Sequence, residues 1–363
     1  MTENAAGPDA PPEQGVQKGS RERLARSAVR KVKPPSPGAT VRARRQADFV
    51  QRWALIGAWI IEIVVFTILV PQSFLSAQNF ASMIGSQAVL VILTLGLILP
   101  LTTGDYDLSV GGTLSLSAML IAVLNVQHQW PVGWTVLLAV LLGGGIGALN
   151  AGISVGLGIP SLIVTLGVGT VAEGVTLWIS DSQTISGISN SLVDAVVGTT
   201  VFGIAIEFYY GLFLCVAIWY VYRYTAIGRR MLFTGLGRRV ARLSGVSVNR
   251  VRFTSLMASG SLAAVAGVLY VGTSGASNPG AGSPLLLPAM AAAFLGTTSI
   301  EPGRFNPWGT VIAVYFLSTG INGLALLGIS SFVQNLFYGG SLVLAVVLSK
   351  LAQRRFVKDE VTD

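Results

Sequence analysis

The chain has 363 residues, of which 52% are hydrophobic and only 11% charged, with 43 glycines and a formal net charge of +8. Soluble domains carry about 25% charged residues, so a water-exposed fold of this length would lack polar surface. These numbers exclude an ordinary soluble enzyme and point to an all-α integral membrane protein.

In chain order, residues 1–52 are basic and rich in Pro, Ala and Gly. They are expected to form a disordered cytoplasmic tail held near anionic headgroups, and a nucleic-acid role is not expected of them. Apolar runs long enough to cross a bilayer follow. Ten are expected, at about 53–71, 82–101, 110–126, 133–157, 160–180, 206–222, 253–272, 285–300, 307–328 and 331–349. They define a permease-like domain over 53–350, followed by a short cytoplasmic tail, 351–363. All 24 basic residues fall in 1–52, 223–252, at Arg304, or in 350–363. With ten spans these places share one side, which the positive-inside rule makes cytoplasmic, together with both termini.

The segment between the second and third runs, LTTGDYDLSVGGT at 101–113, carries Asp105, Asp107 and Ser109 among glycines. Acids at membrane depth are costly, and a helix broken by such a polar segment is a usual way to build a transport path. Asp107, Asp105 and Ser109 are therefore path or gate candidates. For Asp107 two readings stand: bonding of substrate hydroxyls, or capping of the helix that starts at Val110. Asn150 and Asn322 lie in apolar spans and either line the path or bond neighbouring helices. Glu173 is a further path candidate. Gly143, Gly147 and Ala151 recur every four residues on one helix face, a spacing that lets two helices approach closely.

Segment 223–252 holds eight arginines and no acid. Within it, Arg238–Leu243 is expected to form a short helix bounded by Gly235, Gly237 and Gly245, with Val240 and Leu243 on one face. A short basic helix with an apolar face suits docking into a cleft on a soluble partner. The segment Asp181–Glu207, polar and acidic, is expected on the outer side. The phosphate-cradling pattern G-x-x-x-x-G-K-[ST] is absent, as are G-x-S-x-G and H-E-x-x-H, so no catalytic chemistry is expected and no metal site.

Five segments in order carry a resemblance: 104–118, 147–167, 224–252, 295–310 and 321–334. In them the chain resembles the permease subunits of bacterial ribose- and monosaccharide-type ABC importers, within the branched-chain amino acid/ribose permease superfamily. The resemblance implies a translocation path for a monosaccharide or related polyol. It implies a cytoplasmic ATPase partner that binds ATP and Mg, an extracytoplasmic sugar-binding protein, a second permease copy and a bacterial inner-membrane location. No cofactor is implied in this chain. Segment 223–252 then corresponds to the part that touches the ATPase, with Gly228, Arg229, Ala241, Arg242, Leu243, Ser244 and Gly245 matching the family pattern. The chain departs from that pattern at Asp105 and Tyr106, where a glycine and an apolar residue are usual. It departs again at Arg238 and Arg239, where a polar pair such as Asn-Glu is usual. The alternative class is an ion-coupled secondary transporter, in which acids such as Glu173 would carry protons.

Overall fold

The computed structural model describes the backbone of residues 37–360 and the side chains of 52–330 and 332–347. The expected basic tail lies outside the described residues, apart from backbone that belongs to the first helix. The chain divides into two units, Met1–Asp48 and Phe49–Asp363, and the second holds the bundle of apolar helices.

The helices are α1 (Pro37–Leu69), α2 (Ala77–Gly85), α3 (Ala88–Thr102), α4 (Val110–Ala122), α5 (Val132–Ala151) and α6 (Ser161–Ile179). After a segment that holds short strands and a helical stretch at 190–198 come α7 (Ile206–Tyr224), α8 (Ala226–Leu236), α9 (Arg238–Leu243), α10 (Val248–Ser274), α11 (Ser283–Gly296), α12 (Pro307–Leu326) and α13 (Ser331–Glu360). Among the described residues, seven helical stretches are long and apolar enough to cross a membrane: Arg52–Leu69, Ala77–Thr102, Val110–Gln127, Val132–Gly156, Ser161–Ile179, Val248–Ser274 and Pro307–Leu326. An eighth forms if α7 and α8, bent by 76° at Thr225, count as one span. Ser283–Gly296 and Phe332–Val347 are apolar but shorter. The all-α expectation therefore holds, and its ten apolar runs divide into these three kinds.

α8 differs from the sequence expectation, which read a loop there. Its arginines mask an amphipathic pattern: Gly228, Met231 and Thr234 are buried while Arg229 and Arg230 face out. Thr225 produces the bend, because its hydroxyl donates to Val221 O (2.7 Å) and accepts from Gly228 N (3.2 Å), ending one helix and capping the next.

α3 sits at the centre, with every residue buried. A helix that is apolar on all faces has no solvent or lipid side to present. The outer helices do: Ile68, Phe213 and Trp178 are each at least 70% exposed, as side chains facing lipid would be. The expected small-residue face on α5 packs against α10. A side chain on Gly143 would collide with Gly260 O, and one on Gly147 with Leu256 O. Two backbones thus meet without intervening side chains.

The helix ends sort into two sets. At one end lie the break between α3 and α4, the start of α6, and α7–α10 from Arg223 to Arg252. At the other, β1 (Ile185–Ser186), β2 (Thr200–Val201), β3 (Ile204–Ala205) and β4 (Ala276–Ser277) form two small antiparallel pairs, β1 with β4 and β2 with β3. The β2–β3 turn has Phe202 and Gly203 both at positive φ (53° and 78°), the geometry of a type I′ hairpin. Asn125 ties this end together, accepting from Ser189 N and donating to Trp130 O.

Replacing Gly147 by Leu should destabilise the detergent-solubilised protein by about 1–3 kcal/mol through overpacking of the α5–α10 seam. Gly145→Ala, where added atoms meet nothing within 4 Å, should leave the melting temperature unchanged or slightly higher. Thermal melts followed by size-exclusion chromatography compare the two.

Candidate functional site

The break between α3 and α4 is the most polar buried region of the molecule. Pro100 O accepts the backbone N–H of both Thr103 and Asp105 (2.9 Å each), and Gly104 takes the left-handed conformation (φ 81°) that ends the helix. This turn points the Asp105 carboxylate at two cations. Arg252, in the first turns of α10, grips it with a two-pronged fork, Nε to Oδ2 at 2.7 Å and Nη2 to Oδ1 at 2.8 Å. Arg238, the first residue of α9, adds one bond to Oδ1 at 3.0 Å and donates to Gly104 O at 2.7 Å. Asp105 is thus a buried, fully paired carboxylate. Its two cations differ: the Arg252 side chain is 12% exposed and that of Arg238 40%.

Further contacts hold the end of α3. Tyr222 OH lies 2.9 Å from Thr102 Oγ1, Thr103 Oγ1 lies 3.3 Å from Ser255 Oγ, and a side chain on Gly235 would collide with Thr102 O. α7, α8 and α10 therefore all rest on the same break.

Two residues further on, Asp107 is completely buried. Its Oδ1 accepts from Ser109 N (3.1 Å) and Ser109 Oγ (2.6 Å), a local turn that leads the chain into α4. Ser109 Oγ in turn accepts from Asn150 Nδ2 at 2.8 Å. Asp107 Oδ2 and Asn150 Oδ1 are buried with no hydrogen-bond partner among the described residues. One carboxylate oxygen thus shapes the turn, while the other keeps acceptor capacity for a hydroxyl. On the far side of the break, Tyr106 N and Leu108 N donate to Ser161 Oγ and Thr165 Oγ1 of α6, each at 3.0 Å.

The structure brings Asp105, Asp107, Ser109, Asn150 and Arg238 into one neighbourhood. Glu173 and Asn322 lie apart from it. Glu173 Oε1 accepts from Ser283 Oγ (2.6 Å), and Asn322 Nδ2 donates to Asn79 Oδ1 (3.0 Å), joining α12 to α2. Of the arginine-rich segment, Ala241 is buried and anchors α9, Gly228 is buried under α7, and Gly245 makes the left-handed turn after α9 (φ 82°). Val240, Leu243, Ser244, Arg229, Arg239 and Arg242 are exposed. Leu243, at 83%, is an apolar side chain presented outward among cations.

Arg252 is the residue that sequence reasoning missed. Its signal was indirect: a segment of eight arginines with no acid, facing a buried acid that needs a partner. The departures at Asp105 and Arg238, 133 residues apart, turn out to contact each other.

Comparison with known proteins agrees with this architecture. The family model described as branched-chain amino acid transport system / permease component matches residues 79–346. The chain is 33% identical to the ribose import permease protein of Bacillus subtilis (strain 168), over 81% of this chain and 91% of the relative. It is 29% identical to the D-allose transport system permease protein of Escherichia coli (strain K12), over 87% of this chain and 100% of the relative. It is 28% identical to an autoinducer 2 import system permease protein of Salmonella paratyphi A (strain ATCC 9150 / SARB42), over 81% and 90%. No solved structure matches.

Two substitutions test the geometry. Asp105→Ala leaves the Arg252 charge largely buried and unpaired, which should cost about 3–5 kcal/mol and appear as a lower melting temperature. Asp107→Asn keeps an acceptor for the Ser109 turn and should fold as the unaltered protein does. Asp107→Ala loses that acceptor and should be less stable by about 1.5–3 kcal/mol.

Proposed function

The chain belongs to the branched-chain amino acid transport system / permease component family, and from that membership and the site geometry we infer that it forms the translocation path of an importer for a monosaccharide or related polyol. It is a non-catalytic, multi-pass membrane permease of a bacterial ABC importer. The substrate class rests on its relatives, whose names cite ribose, D-allose and autoinducer 2.

Energy comes from a separate ATPase, which binds ATP and Mg. The observation that carries this reading is α9. Val240 and Leu243 are exposed apolar side chains on a six-residue helix, rimmed by Arg239 and Arg242, at the arginine-rich end. Such a helix fits a cleft with an apolar floor and acidic edges. Positive-inside placement puts this end in the cytoplasm, where the ATPase must be. The seven long spans, the bent pair α7–α8 and the two shorter apolar helices then make ten crossings, with both termini on the cytoplasmic side.

At the outer end, Asp181–Glu207, with the β2–β3 hairpin and with β1 paired to β4, forms a platform for a sugar-binding protein. Asp107, Ser109 and Asn150 form the inner gate below the path, Asp107 Oδ2 and Asn150 Oδ1 offering acceptors to solute hydroxyls as the break opens. Asp105 belongs to the same gate through its ion pairs. A second copy of this chain completes the path.

The test is co-purification from the native host, reconstitution of the complex in vesicles, and uptake of the sugar identified by a ligand screen of the recovered binding protein. Uptake should need ATP and survive collapse of the proton gradient. Val240→Asp with Leu243→Asp should leave the permease folded but abolish ATPase recovery. Uptake that ignores ATP and stops with the proton gradient would instead make the chain an ion-coupled transporter.

A further inference from the structure

The two arginines on Asp105 are not equivalent, and the difference assigns them separate jobs. Arg252 is mostly buried, holds both carboxylate oxygens, and sits on a 27-residue helix locked to α5 by the Gly143–Gly260 seam. Its position is set by the body of the protein. Arg238 is more exposed, makes a single bond to the carboxylate, and begins a six-residue helix. Gly237 precedes that helix and Gly245, in the left-handed conformation, follows it. Its guanidinium also caps the broken end of α3, donating to Gly104 O at 2.7 Å and reaching Thr103 O at 3.4 Å. A cation there offsets the negative end of the helix.

We propose that Arg238 is a positioning residue that carries displacement of α9 into the helix break, using Asp105 as the attachment point and Arg252 as the fixed end. This rests on the reading that an ATPase docks on α9. When the docked partner moves α9, the Arg238 contact is the one that separates: it has one bond to the carboxylate where Arg252 has two, it is partly exposed, and it begins a short helix flanked by Gly237 and Gly245. Its release takes a cation from the end of α3 and from Asp105 together. The 103–109 turn, in which Tyr106 and Asp107 follow Asp105 by one and two residues, then shifts against α6 and α5. Arg252 stays paired, so the carboxylate is never left as an uncompensated buried charge, and the release costs far less than breaking the whole cluster would. A single arginine on Asp105 would have to be either permanent or absent. Two of unequal burial allow one to hold while the other moves.

The experiment uses the full chain with its co-purified ATPase in lipid nanodiscs. Cys215, which is buried, is replaced by Ala, and Tyr106→Cys reports the break because Tyr106 is exposed there. The rate of labelling by a hydrophilic maleimide is measured without nucleotide and with MgATP plus vanadate. In this background nucleotide should change the rate. Adding Arg238→Ala should abolish that change while ATP hydrolysis and ATPase recovery persist. Arg238→Lys, which keeps the charge but not the planar fork, should restore it in part. A purely structural role would lower stability or recovery without separating hydrolysis from labelling. Arg238→Ala with ATPase bound and the nucleotide-dependent change intact would overturn the proposal. Failure of the docking reading looks different: no ATPase is recovered with the unaltered chain, or its recovery is indifferent to Val240→Asp and Leu243→Asp.

Discussion

A carboxylate buried at the end of an apolar helix must be neutralised, and the need to pair Asp105 organises this molecule. α3 is buried on every face and cannot present a charge anywhere along its length. At its C-terminal end lies the polar break at 103–109, and a buried acid there is tolerated only with cations brought from elsewhere in the chain. They come from Arg238 and Arg252, which flank the turn between α9 and α10. Two neighbouring segments, α9 and the start of α10, are therefore fixed to one side chain of the distant 103–109 break. The placement of α9 on the surface, and of the Asp107 turn inside, follow from it.

Two kinds of contact divide the labour. Along the bundle, α5 and α10 meet backbone to backbone through Gly143, Gly147 and Gly260. Such a seam depends on close fit and loses its contacts abruptly when displaced, so it moves as a unit or not at all. At the arginine-rich end, beside the close approaches of Gly235 and Gly228 to neighbouring backbone, the contacts include hydrogen bonds and ion pairs of side chains with several rotamers, which exchange partners without opening a void. On the proposed reading, motion between two states of the path is cheapest there. The interior seam supplies the rigid levers, and the polar break supplies the joint.

Much of the fold was legible in the sequence because hydropathy and small-residue spacing are local properties. The apolar runs, the break at 101–113, the packing face of Gly143 and Gly147, and the short helix 238–243 all register within a window of a few turns. What escaped was either masked or non-local. α8 carries Arg229 and Arg230 on its outer face, and charge hid the buried stripe of Gly228, Met231 and Thr234. The 76° bend at Thr225 depends on one hydroxyl serving two backbone groups. Asp105 meets Arg252 across 147 residues, and no local pattern separates Arg252 from its neighbours in an arginine-rich segment. The path candidates divided for the same reason. Asp107, Ser109 and Asn150 converge on one break, whereas Glu173 and Asn322 have their own partners on other helices.

On the proposed reading, the arginines of 223–252 serve two purposes that a designer would keep apart. Their number sets orientation in the bilayer, since cationic loops resist translocation. Their arrangement sets mechanism: Arg238 and Arg252 turn inward to Asp105, while Arg239 and Arg242 surround the exposed Leu243. Using one segment for both has a physical consequence. An inverted chain would carry its docking helix and the joint beneath it to the side without nucleotide, so insertion in the wrong sense yields an inert protein, not one running backwards.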